Sequence, residues 1–80
     1  MAKRTHRRRA REILARNMRM LRAAQGISQE ALSHESGINR TYVSSVERCE
    51  RNVSIDNIEK IAKGLKTEVW KLLKPDLLDA

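Results

Sequence analysis

Three times within residues 27–58 the chain repeats one arrangement: an apolar residue, a small polar residue, and a second apolar residue four places after the polar one. The sets are Ile27-Ser28 with Leu32, Ile38-Asn39 with Val43, and Val53-Ser54 with Ile58. This is the spacing of a hydrophobic staple. The polar side chain satisfies a free N–H at the start of a helix while the two apolar groups fix the angle at which the chain enters it. Gly26, Gly37 and Gly64 fall where the resulting helices must stop, and Pro75 follows the last apolar cluster.

These boundaries leave room only for short helices. A first helix spans about Ala10 to Gln25, where Leu14, Met18, Leu21 and Ala24 recur at helical spacing. The second runs from Ser28 to Ser36, the third from Asn39 to about Cys49, and the fourth from Ser54 to Leu65. Ile55, Ile58, Ile61, Ala62 and Leu65 are expected to form the inner stripe of the fourth. Thr67 is expected to cap a last short helix carrying Val69, Trp70, Leu72 and Leu73. No segment alternates at period two, so no sheet is expected. The fold class is all-α, a compact five-helix domain.

Eighty residues make one domain with a modest core. The net charge of +7 favours a polyanionic partner, nucleic acid ahead of an anionic membrane surface. Its distribution is uneven: residues 1–25 hold nine Lys or Arg against the single Glu12, whereas residues 53–80 balance five against five. The expected organisation is a flexible basic arm over residues 1–9, a helical domain over residues 10–74 and a short tail over residues 75–80. A single cysteine, Cys49, leaves no intrachain disulfide and fits a reducing cytoplasm. No apolar run approaches the length of a membrane span, so no membrane partner is expected. His6 and His34 lack partners at ligand spacing, so neither a metal site nor any other cofactor is expected. Glycine-rich phosphate loops, nucleophile elbows and paired carboxylates are all missing, which makes an enzyme the poorest reading.

The segment Gln29 to Glu47 carries the functional argument. Gly37 stands where two short helices turn sharply, and glycine takes positive φ there without steric cost. Leu32, Ile38, Val43 and Val46 are expected to face inward. Arg40, Thr41, Ser44, Ser45 and Arg48 are left as an outer face of arginines and hydroxyls, the groups that reach base edges and phosphates in a major groove.

With Leu21-Arg22, Ser28-Gln29, Gly37-Ile38 and Val46-Glu47 added, residues 12–73 resemble the phage-repressor (Cro-like, XRE-type) helix-turn-helix family, with its lambda-repressor-like DNA-binding fold. Arg40-Thr41-Tyr42-Val43-Ser44, Glu47-Arg48 and Arg51-Asn52 are especially similar to the controller proteins of restriction–modification systems. One departure is Ser33, where the family usually has alanine; a serine there is expected to hydrogen-bond back to its own helix. The resemblance implies a sequence-specific double-stranded DNA-binding transcriptional regulator with the third helix in the major groove. With no separate effector domain expected, its concentration and its own operator are expected to set the regulation, which makes it autoregulatory. The resemblance implies that Gln29 bonds a phosphate and that Arg40, Thr41, Tyr42, Ser44 and Ser45 present to bases or the flanking backbone. Arg51 and Asn52 would reach phosphate or the groove edge, with Asn39 and Arg48 completing the set. It also implies a structural ion pair between Arg22 and Glu47, and a homodimer on a palindromic operator.

Several alternatives stand beside this. Tyr42 either packs against the second helix or contacts DNA. Trp70 by itself reads as core, but Trp70, Leu72, Leu73, Leu77 and Leu78 together exceed what the core needs, so a homodimer through the last helix is expected. The helix-turn-helix as a protein-interaction module, such as an antitoxin or bridging factor, is the competing function. An RNA-binding basic arm is less favoured, because Tyr42 and Trp70 are the only aromatic residues available for stacking.

Overall fold

The computed structural model describes residues 9–77, and most of the expected basic arm and the end of the tail, with His6 and Leu78, lie outside them. Five helices follow one another: α1 (Ala10–Gln25), α2 (Gln29–Ser36), α3 (Arg40–Glu47), α4 (Ile55–Gly64) and α5 (Val69–Leu72), with no strand among the described residues.

The three staples form as their spacing requires. Ser28 Oγ accepts from the Ala31 N–H at 3.0 Å, Asn39 Oδ1 from Thr41 at 2.7 Å, and Ser54 Oγ from Asn57 at 3.1 Å. The apolar member after each cap, Leu32, Val43 or Ile58, is buried in a single core. Ile27, Ile38 and Val53 pack into or against the same core. Gly26 and Gly37 end α1 and α2 in the left-handed conformation, at φ 69° and 72°. The core joins Leu14 and Met18 of α1 to Val46 of α3, Ile61 and Leu65 at α4, and Leu72 of α5.

Several local expectations change. Helix α3 stops at Glu47 rather than Cys49, with Arg48 as its cap and Cys49 at φ 63°. Glu68, not Thr67, occupies the cap position of α5. Ile55 is 67% exposed instead of completing the inner stripe of α4. It sits at the first position of the helix, and helical side chains lean toward the N-terminus, so it overhangs the edge of the core. Trp70 is 58% exposed rather than core, because Leu72 is buried and Val69 and Leu73 pack inward, which turns Trp70 to the flank of this one-turn helix.

Two close fits position the reading unit. Gly64 ends α4 where that helix crosses α2: a Cβ there would lie 2.9 Å from Leu32 Cδ1 and 3.1 Å from the Ser36 backbone nitrogen. Ser33 is half-buried, and among the described residues its hydroxyl makes no hydrogen bond, so the expected back-bond is not formed; Ser36 Oγ instead donates to the Ser33 carbonyl. At the other end of the molecule, buried Asn17 donates Nδ2 to the carbonyls of Leu72 (2.8 Å) and Lys74 (2.9 Å), capping α5 from α1. No helix among the described residues is long and apolar enough to cross a membrane.

Candidate nucleic-acid interface

Helix α3 divides into two faces. Val43, Val46 and Glu47 point inward and are buried. Arg40, Ser44 and Arg48 follow one another at four-residue spacing on the opposite side with Thr41 beside them, so their side chains emerge within an arc of about 100°. Arg40, Thr41 and Arg48 are exposed and Ser44 is half-buried. Arg48 Nη1 donates to Ser44 Oγ, and Arg48 Nη2 donates to Glu50 Oε1 at 3.0 Å. The Glu50 carboxylate raises the Arg48 pKa above its ordinary value and is itself held below the usual carboxylate range by that arginine.

Ser45 does not belong to that strip. Periodicity puts it on the outer side of the isolated helix, but the chain after α3 folds back and covers it, leaving Ser45 only 5% exposed. Its hydroxyl donates to the Tyr42 carbonyl at 2.8 Å and accepts from Arg51 Nε at 2.9 Å. The Arg51 guanidinium lies 5.0 Å from the centre of the Tyr42 ring, within range of a cation–π contact. Tyr42 is half-buried against the core, and Arg51 and Asn52 are exposed in the loop. Ser45 and Tyr42 thus aim Arg51 rather than lying open on the strip themselves.

Beneath the strip, a polar network fixes α3 to α1 and α2. Arg22 Nε and Nη2 donate to the two oxygens of Glu47 at 2.7 and 2.8 Å, a two-pronged pair in which the side chains are 18% and 3% exposed. Donation of its hydrogen bonds to the Glu47 carboxylate raises the Arg22 pKa despite the opposing effect of burial. Arg22 Nη1 also donates to the Ile27 carbonyl at 3.1 Å, and Arg19 Nη1 to the Glu47 carbonyl at 2.6 Å. Gln29 Nε2 donates to Glu47 Oε1 at 3.0 Å. The Gln29 amide is therefore engaged inside the protein, and its first-turn backbone N–H remains the group at the exposed end of α2. Asn39 is exposed, with its oxygen occupied in capping α3.

Sequence reasoning missed Arg19 and Asn17, since a basic and an amide residue on an amphipathic helix carry no mark of the distant carbonyls they reach. No group of three metal-capable side chains gathers among the described residues.

This arrangement has close counterparts. The helix-turn-helix family model HTH_3 matches residues 18–69. A hypothetical transcription factor of Neisseria meningitidis serogroup B is 48% identical over 65 residues, covering 81% of this chain but only 61% of that protein. The control protein C.SmaI of Serratia marcescens is 52% identical over 62 residues, 78% of this chain and 74% of the relative. Among solved structures, the restriction–modification controller protein C.Esp1396I, as a tetramer in complex with its natural 35 base-pair operator, superposes with a TM-score of 0.78 at 29% identity, over 91% of this chain and all of that one. The chain belongs to the HTH_3 helix-turn-helix family, the XRE-type fold, and its similarity runs to the restriction–modification control proteins within it.

Proposed function

We propose that the chain is a sequence-specific double-stranded DNA-binding transcriptional regulator that reads its operator with α3. The observation that carries this is the exposed strip of Arg40, Thr41, Ser44 and Arg48, set on a helix whose inner face is locked by the Arg22–Glu47 pair. Arginine and hydroxyl groups match guanine edges, thymine methyls and phosphates, and a rigid helix presents them in one register. The first turn of α2 and the Arg51-Asn52 loop flank the strip, where they serve as phosphate contacts. The relative C.Esp1396I, whose structure contains its operator, is consistent with this assignment.

Two copies are needed, since one eight-residue reading helix specifies only a half-site. A two-fold dimer sets its reading helices about 34–36 Å apart, which calls for a palindromic operator. Trp70, exposed on α5, is the aromatic group that offers that contact. Acting on its own operator in the cytoplasm, the protein sets the regulation by its own concentration.

The test is selection of preferred duplexes from a random-sequence pool, followed by binding of Arg40→Ala. The variant is expected to lose roughly 1–3 kcal/mol per half-site on the selected duplex and to bind scrambled DNA almost as the parent does. Equal weakening on both duplexes removes α3 as the reader and favours an interaction module with a basic tail.

A further inference from the structure

Helix α1 opens beside the loop that follows α3, and the two touch where the Cys49 thiol lies 3.9 Å from the Arg11 carbonyl. A cleft of about 360 Å³ is lined there by Arg9, Arg11, Arg51 and Asn52, together with Leu14 and Ile58. Arg9, Arg11 and Arg51 are exposed, and among the described residues none of them pairs with a carboxylate. The acidic residue of that turn, Glu12, directs its Oε1 to the Arg9 backbone N–H. Arg22 and Arg48, by contrast, each have a glutamate partner.

No carboxylate among the described residues offsets this placement. Arginines at the first turn of a helix oppose its dipole, and three guanidinium groups around one cleft repel one another. An anion reverses both penalties. Arg51 is already aimed for one: only its Nε is taken, by Ser45, while the Tyr42 ring supports the guanidinium plane. The apolar wall narrows the choice of anion. A bare phosphate has no use for half-buried Val53 and Leu73, which also line the cleft, whereas a sugar–phosphate strand places deoxyribose against carbon and phosphate against arginine.

We propose that this cleft is a second backbone site for duplex DNA, in which Arg9 and Arg11 of α1 act with Arg51 to hold the strand bordering the groove that α3 enters. The proposal rests on the DNA-binding reading above and extends it to a helix outside the reading unit. Arg51 and Asn52, which flank the strip on α3, also line the cleft.

The experiment titrates salt against the full chain bound to a selected duplex and to a scrambled one. Arg9→Gln/Arg11→Gln is expected to weaken both duplexes by the same factor, roughly tenfold, and to flatten the slope of log K against log salt by about 1.8. Selectivity between the duplexes stays at the parent value, and hydroxyl-radical protection disappears from the backbone flanking the α3 footprint. Lys60→Gln/Lys63→Gln, the same charge change on the exposed side of α4, is expected to leave slope and footprint near the parent's. An equal loss from that control pair overturns the proposal, because general charge then explains the effect. Unchanged affinity and slope in Arg9→Gln/Arg11→Gln overturn it too, while selectivity lost in Arg40→Ala alone keeps α3 as reader. A pool that yields no preferred duplex defeats the α3 reading, and the scrambled duplex still decides the cleft.

Discussion

Glu47 ties its own helix to two others. Its carboxylate receives both prongs of Arg22 and the Gln29 amide, and its carbonyl receives Arg19. Removing such an acceptor does more than delete attractive contacts, because it leaves a partly buried guanidinium without a counter-charge. Glu47→Ala is expected to lower stability by about 3–5 kcal/mol, which for a domain of this size lowers the melting temperature by roughly 4–8 °C for each kcal/mol. Glu50 also pairs with an arginine, but both side chains are 55% exposed and water replaces the lost contact. Glu50→Ala is therefore expected to melt close to the parent. Thermal unfolding followed by circular dichroism compares the two directly, and equal melting temperatures would show that the Arg22–Glu47 pair does not hold α3 to α1.

Between elements, two glycines do different work. Gly37 has open space around the position of a Cβ and is needed for its positive φ, whereas Gly64 has ordinary helical backbone and is needed because α2 passes too close for a side chain. Asparagine tolerates the left-handed region better than other residues, so it separates the two roles. Gly37→Asn is expected to cost under about 1 kcal/mol. Gly64→Asn must displace Leu32 or the Ser36 backbone, at a cost of at least about 1–3 kcal/mol. Urea midpoints measure this, and a Gly64→Asn variant as stable as Gly37→Asn would mean that α2 and α4 are not so closely seated. The contrast also marks what the sequence makes legible. Gly37 and the three caps follow from chemistry within a few residues, so the starts of α2, α3 and α4 could be read directly. Gly64 reads as mere punctuation, because its purpose lies on another helix. The same limit explains Ser45, covered by a returning loop that helical periodicity does not contain, and Ile55, which overhangs a core edge that no heptad pattern reveals. The outer strip of α3 was legible as far as Arg40, Thr41, Ser44 and Arg48, since those four positions depend on the helix alone.

At the scale of the whole molecule, the apolar surface that remains exposed points to assembly. Leu72, expected at a subunit contact, is fully buried within the domain, so it is Trp70 that is left at the surface of α5, with half-buried Leu73 on the same turn. Trp70 keeps its polar atom occupied by donating Nε1 to Glu68 Oε1 at 3.0 Å, and Lys71 stands 5.5 Å from the ring centre. The ring therefore has its hydrogen bond and still exposes most of its carbon, an arrangement suited to burial against a second copy. Large aromatic groups dominate the energy of small interfaces, so one substitution should suffice to test it. The parent is expected to sediment at tens of micromolar at twice its 9.2 kDa mass and to dissociate on dilution. Trp70→Glu buries a charge against its own symmetry mate in any two-fold contact through α5, and is expected to sediment as a monomer at the same concentration with its melting curve at low concentration unchanged. On a selected palindromic duplex that monomer should bind in two separate steps, each weaker than the parent's single step. A Trp70→Glu protein that remains dimeric moves the interface elsewhere, with Ile55 on α4 the next surface to substitute, and a parent that stays monomeric while binding its duplex tightly removes the dimer altogether.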